Sequence, residues 1–215
     1  MLLFVSMTAT AQKDVTKFLG IPVDGTKTSM IQKLKAKGFK YNDRLDCLTG
    51  EFNGMDVRIR VVTNNNKVWR IMIVDEVSRS ETDIRIRFNN LCRQFEKNEK
   101  YLMLSLLLPE ISEDEDISYK MSVENKRYEA AFSQRIDFKK SEEDVRSELL
   151  KIYSKEKLDN PTEEESEEIR GKEYEIIIDQ WYKRSVWFMI DGEYGRYRIL
   201  MYYDNGYNRS DGEDL

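Results

Sequence analysis

The apolar positions along this chain repeat at two spacings, and the places where the spacing changes mark its elements. Met55, Val57, Ile59 and Val61 alternate with Asp56, Arg58 and Arg60, the two-residue period of a strand with one buried face. Stretches 48–52 and 68–75 read the same way. With Asn53-Gly54 and Asn64-Asn65-Asn66 as turns, they predict three antiparallel strands in a meander. On either side the period becomes helical. Met30, Ile31 and Leu34 follow the Gly25-Thr26 turn and N-cap and stop at Gly38, which predicts a helix over 27–37. Ile84, Phe88, Leu91, Cys92 and Phe95 follow a Ser80/Asp83 start and predict a second helix over 80–97. Segment 18–41, FLGIPVDGTKTSMIQKLKAKGFKY, thus starts a helix and returns the chain to the sheet, and nothing in it is equipped for chemistry.

Farther on, residues 102–108 are apolar, Pro109 ends them, and Glu113-Asp114-Glu115-Asp116 reads as a loop. Ile117, Tyr119, Met121 and Val123 alternate, Asn125-Lys126 turns and 128–134 returns, which predicts another hairpin. Ser141 with Asp144 starts a helix carrying Val145, Leu149 and Ile152, and Asn160-Pro161 with Glu163 opens a long acidic helix through EYEIIIDQWY. Residues 185–190, a turn at 192–195 and residues 196–203 form a closing hairpin. The fold class expected is α+β, with antiparallel β-sheet meanders and helices packed on one face. Residues 12–215 make either a single domain or two halves, 12–108 and 109–215.

Residues 1–11 of the opening MLLFVSMTATAQ read as a secretory signal peptide, with an apolar core and a small-residue Ala9-Thr10-Ala11 end, although no positive residue precedes Leu2. The expected location is periplasmic or secreted, or cytoplasmic if this opening is an edge strand instead. No later segment approaches the roughly 20 apolar residues of a membrane helix, so no membrane span is expected.

Composition narrows the chemistry. Forty acidic and 35 basic residues give a formal charge of -5, which speaks against nucleic acid as a partner, because phosphate neutralisation needs a concentrated basic face. The chain has no histidine, so neither a His-activated nucleophile nor a His-based metal site can be built. No cofactor is expected, and no catalytic motif is recognisable. The carboxylates are too many for any pair to mean anything without geometry. The acidic runs 113–116 and 163–168 read as solvated faces. The tail YDNGYNRSDGEDL carries hard oxygen ligands but misses calcium-loop spacing at Gly206, so a solvated turn is expected there. Arg85, Arg87 and Arg93 share a helix face read as solvated, the alternative being an anion-facing patch.

Two features carry the candidate residues. Aromatic side chains crowd residues 181–207, and both faces of the closing hairpin are apolar. Either the hairpin is covered on both sides, or one face is left open to protein, peptide or glycan. Trp181, Trp187, Tyr194 and Tyr197 are the candidate ligand-binding residues. Cys47 and Cys92 are either small buried hydrophobes or, in an oxidising compartment, a disulfide, the third alternative being a catalytic thiol. The expected function is a non-enzymatic interaction module recognising protein or peptide. The rivals are a carbohydrate-binding or carbohydrate-active protein and a structural envelope component; the pattern says nothing of oligomeric state.

The segments quoted above, together with LTGEFNGMDVRIRVVTNNNKVWRIMIVD, RFNNLCRQFEKNEKY, ISYKMSVENKRYEAAF and SVWFMIDGEYGRYRILMYYDN, resemble an uncharacterised family of exported proteins from Bacteroidetes-type bacteria. That likeness implies export and transfers no activity or site residue. Over one helix and three strands the N-terminal half is also similar to β-lactamase-inhibitor-like and small outer-membrane assembly modules, which implies a helix layer on an antiparallel sheet whose surface binds other proteins.

Overall fold

The computed structural model describes residues 14–105 and 108–210. A two-stranded hairpin, β1 (Lys17–Phe18) and β2 (Ile21–Pro22), leads into α1 (Lys27–Ala36) and then β3 (Lys40–Asn42), β4 (Cys47–Phe52), β5 (Met55–Asn64) and β6 (Lys67–Asp75). Helix α2 (Glu81–Lys97) and strand β7 (Tyr101–Met103) follow. Beyond them come α3 (Ile117–Ser122), β8 (Glu129–Gln134), α4 (Phe138–Leu149), α5 (Lys155–Asp159), α6 (Glu163–Tyr182), β9 (Ser185–Glu193), β10 (Arg196–Asp204) and a short 3-10 turn at Gly206–Asn208.

The fold is α+β, as the periodicity predicts. Strands β3 to β10 form one antiparallel sheet in the order β3-β4-β5-β6-β10-β9-β8-β7. The first four strands are a meander, and the closing hairpin joins them to the rest by pairing β10 with β6, Met201 opposite Ile73. At the β4–β5 turn Asn53 and Gly54 both have positive φ, +53° and +69°, the left-handed pair that a tight two-residue hairpin requires.

One face of this sheet carries the core. Ile59, Ile73, Met201, Phe188 and Ala130 line up across five strands, and Val61, Ile71, Tyr203, Val186 and Phe132 form the next row. Helix α1 covers them with Met30, Ile31 and Leu34, and α2 with Ile84, Phe88, Leu91, Cys92 and Phe95. Thr26 and Ser80 cap the two helices, accepting from Ser29 N and Asp83 N. Helices α4 and α6 build a separate small core from Val145, Leu149 and Ile169. Among the described residues no helix is long and apolar enough to cross a membrane.

Three expectations need correction. Residues 117–122 are helix α3 and not the first strand of a hairpin, because Asp116 accepts from Tyr119 N as an N-cap. Ile117 and Met121, four apart, then face the core together. Arg85 and Arg87 do not lie on a solvated face, whereas Arg93 stays exposed beside its partner. Arg85 donates to the Glu113 and Glu115 carbonyls, Arg93 pairs with Glu110, and Arg87 is buried against Asp75. The long helix α6 is capped by Thr162, with Glu165 closing a capping box, and not by Asn160.

Candidate functional site

The four aromatic residues singled out from the sequence do not converge. Tyr197 is 1% exposed and belongs to the core, on the inward row with Ile199, Met201 and Tyr203. Tyr194 sits at the β9–β10 turn and is 90% exposed. Trp181 lies at the end of α6. Trp187 is half-buried on the face of the sheet opposite the helices. Cys47 and Cys92 are both buried and both free, with no bridge between them. Cys92 is held in the core beneath α2, whereas Cys47 opens β4 outside that cluster.

The closing hairpin is not covered on both sides. Residues alternate across a strand, so the partners of the core rows point to the opposite face of the sheet. There Arg58, Val74, Leu200, Met189 and Glu129 form one row, and Arg60, Met72, Tyr202, Trp187 and Ala131 the next. None of these side chains belongs to either core cluster. Val74, Leu200, Met189, Met72 and Trp187 are half-buried, Tyr202 between them is buried, and Arg60 is exposed. Five apolar side chains of four different types thus stand together on the bare face of the central strands.

Charge on this face is uneven. Arg70 grips Asp204 through two hydrogen bonds of 2.6 Å and lies over the rings of Trp69 and Tyr202, 4.2 and 4.6 Å from their centroids. Trp187 stacks on Tyr202 at 4.1 Å and donates its indole N–H to Asp204. Burial pushes the Tyr202 phenol above its ordinary pKa, with Arg70 opposing that shift. Arg58, Arg60 and Arg198, by contrast, have no carboxylate within ion-pair distance among the described residues. The Arg58 Nε is buried without a hydrogen-bond partner. These arginines share the face with acidic residues, Asp191 standing opposite Arg198 and Glu129 ending the Arg58 row.

The residues 204–208, expected as a solvated turn, are packed. Asn205 is fully buried and donates to the Val23 carbonyl, and Asn208 bonds Asp24 and the Val68 carbonyl. Asp211, Glu213 and Asp214, like the leader-like opening, lie outside the described residues. Among the described residues no three acidic or thiol side chains gather as metal ligands would.

On the helix-covered side, a cleft of about 1010 Å³ opens between the β1–β2 hairpin, the end of α2 and the β7–β8 edge. Its floor is Phe52, Phe95, Met201 and Tyr203. Arg184, its side chain 3% exposed, closes one wall by pairing with Asp14 at 2.7 Å and donating to the Gln134 and Arg135 carbonyls. Burial holds the Tyr203 phenol well above its ordinary pKa, with Tyr101 adding to it. Sequence reasoning missed this cleft, since its residues come from six separate segments.

No family model, curated protein or solved structure matches this chain, so its function is read from its own surfaces.

Proposed function

We propose that this chain is a binding module without catalytic activity of its own, and that the bare face of its central strands recognises an amphipathic, acidic helix of a protein partner. The observation that carries the reading is the pair of cross-strand rows Val74–Leu200–Met189 and Met72–Tyr202–Trp187, outside both core clusters, partly exposed at every position but Tyr202, and flanked by Arg58, Arg60 and Arg198. Exposed apolar patches rimmed by polar groups mark interaction sites. Aromatic, Met and Arg side chains are the types that such interfaces favour.

Spacing suggests the shape of the partner. Neighbouring strands stand about 4.8 Å apart, close to the roughly 5.4 Å rise of one helical turn. A helix laid across the strands therefore sets side chains of successive turns between successive strands. Its flanks would carry Asp or Glu toward the unpaired arginines, where charge complementarity raises association rate and specificity. A sugar is the poorer fit, because the Trp187 ring is already stacked on Tyr202.

The test is selection from a displayed library of helical peptides. Enrichment should favour peptides with apolar residues three and four apart flanked by acids, and Leu200→Asp together with Arg198→Glu should abolish it while the circular dichroism spectrum is retained. Equal enrichment on the doubly substituted protein would remove the face from consideration.

A further inference from the structure

The cleft between the β1–β2 hairpin and the end of α2 lies on the opposite side of the sheet from the bare face. Most acceptors at its rim are engaged within the chain, although Asp137 has no cation within ion-pair distance among the described residues. The Asp14 carboxylate is held by Lys17 and Arg184, and Asp137 caps α4 by accepting from Lys140 N. Gln94 Oε1 accepts from Asn53, Asn98 Oδ1 from Lys100 N, and Gln134 Oε1 from Lys17 N. Besides Asp137, what remains without a charged partner is a pair of cations. Lys100 has no carboxylate within ion-pair distance among the described residues, and neither has Arg135, whose Nε alone donates, to the Tyr101 carbonyl.

Below those two cations the cleft is apolar. Phe95 packs edge-on against Tyr101 at 4.6 Å, Phe52 and Tyr203 flank Phe18 at 5.1 and 4.9 Å, and Met201 fills the space between. The volume of about 1010 Å³ is ample for a small molecule. An apolar floor beneath paired cationic donors selects a ligand with an acceptor-only charged head and a hydrophobic body.

We infer that this cleft binds a monocarboxylate with an apolar chain, its carboxylate between Lys100 and Arg135 and its chain on Phe52, Phe95 and Tyr101. This site is independent of the bare sheet face, so either can fail without the other. Lys100 supplies a point charge and Arg135 a planar fork that can hold both carboxylate oxygens at once. The protonated acid or an alcohol of the same length would satisfy the floor and leave both cations unanswered.

Titration calorimetry of the full chain at pH 7.5 with decanoate, decanol and decyltrimethylammonium tests this. Saturable decanoate binding is expected, weakened roughly tenfold or more by Lys100→Glu and by Arg135→Glu, with decanol weaker and the cation not bound. On the wild-type protein, decanoate should shift the NMR signals of Phe52, Phe95 and Tyr101, a readout that stands even if a variant fails to fold. The inference is overturned by an absence of saturable binding below about 1 mM, by decanol binding as tightly, by folded charge-reversed variants that bind unchanged, or by shifts centred on Trp187 and Met189.

Discussion

Arg70 and Asp204 face each other across β6 and β10, joined by two hydrogen bonds of 2.6 Å, and the same carboxylate accepts the indole N–H of Trp187. Both side chains are largely withdrawn from water, at 21% and 10% exposure, so removing one strands the other. Asp204→Asn should therefore lower stability by about 2 kcal/mol, discounted from the value for a fully buried pair because Arg70 keeps some solvent contact. The urea midpoint measures it. Replacing both partners by Leu should cost less than the sum of the two single changes, because no unpaired charge is left behind.

Arg184 should be the more sensitive position. Its guanidinium ties the 134–135 backbone to Asp14, and Arg184→Met leaves three carbonyls and a half-buried carboxylate without their donor. A loss of about 3 kcal/mol is expected, again by urea denaturation.

The same residue governs part of the acid limb of stability. Burial raises the Asp14 pKa, but the charges of Arg184 and Lys17 and their hydrogen bonds outweigh it and hold the group below its ordinary value. A depressed carboxylate stabilises the fold above its unfolded pKa, near about pH 4, and that contribution is lost as pH falls further. Melting temperature followed from pH 5 to lower pH should drop less steeply in Arg184→Met than in the wild type. Glu115, held down by Lys126 and Tyr128, and Glu110, held down by Arg93, continue to contribute in both proteins.

The thiols offer a test at the alkaline end. Burial pushes Cys92 up to about 12. Below the unfolded thiol pKa, about 8.5, both states keep the proton and stability is flat on this account. Above it the unfolded chain ionises first, and stability should fall toward pH 12. With both cysteines free and buried, the native protein should react with neither equivalent of a thiol reagent at pH 8, and the denatured protein with two.

Much of this architecture is legible in the chain because independent local signals agree. Thr26 and Ser80 cap helices whose apolar spacing already marks them, and Asn53-Gly54 places its turn by backbone chemistry. Residues 117–123 mislead because Ile117 and Met121, four apart, fit a strand face and a helix face equally, and the short-range cap at Asp116 decides between them. Strand parity separates Trp187 from Phe188, and would have put Tyr197 with Ile199, Met201 and Tyr203 on the inward row. It does not say which row the helices cover. That depends on the pairing of β10 with β6, well over a hundred residues apart, and no local pattern encodes it. The arginines of α2 mislead for a similar reason: Arg87 reads as a surface residue until Asp75 is brought beside it.

The most direct test of the central claim uses four methionines as probes of the two sheet faces. Met72 and Met189 stand half-buried on the bare face, whereas Met30 and Met201 are 0% and 2% exposed beneath the helices. Mass spectrometry after mild peroxide treatment should show Met72 and Met189 oxidised well before the other pair, and an acidic amphipathic peptide that binds the chain should protect those two alone. If Met72 and Met189 oxidise as slowly as Met30 in the free protein, or stay unprotected while the peptide is bound, the bare face is not where recognition occurs.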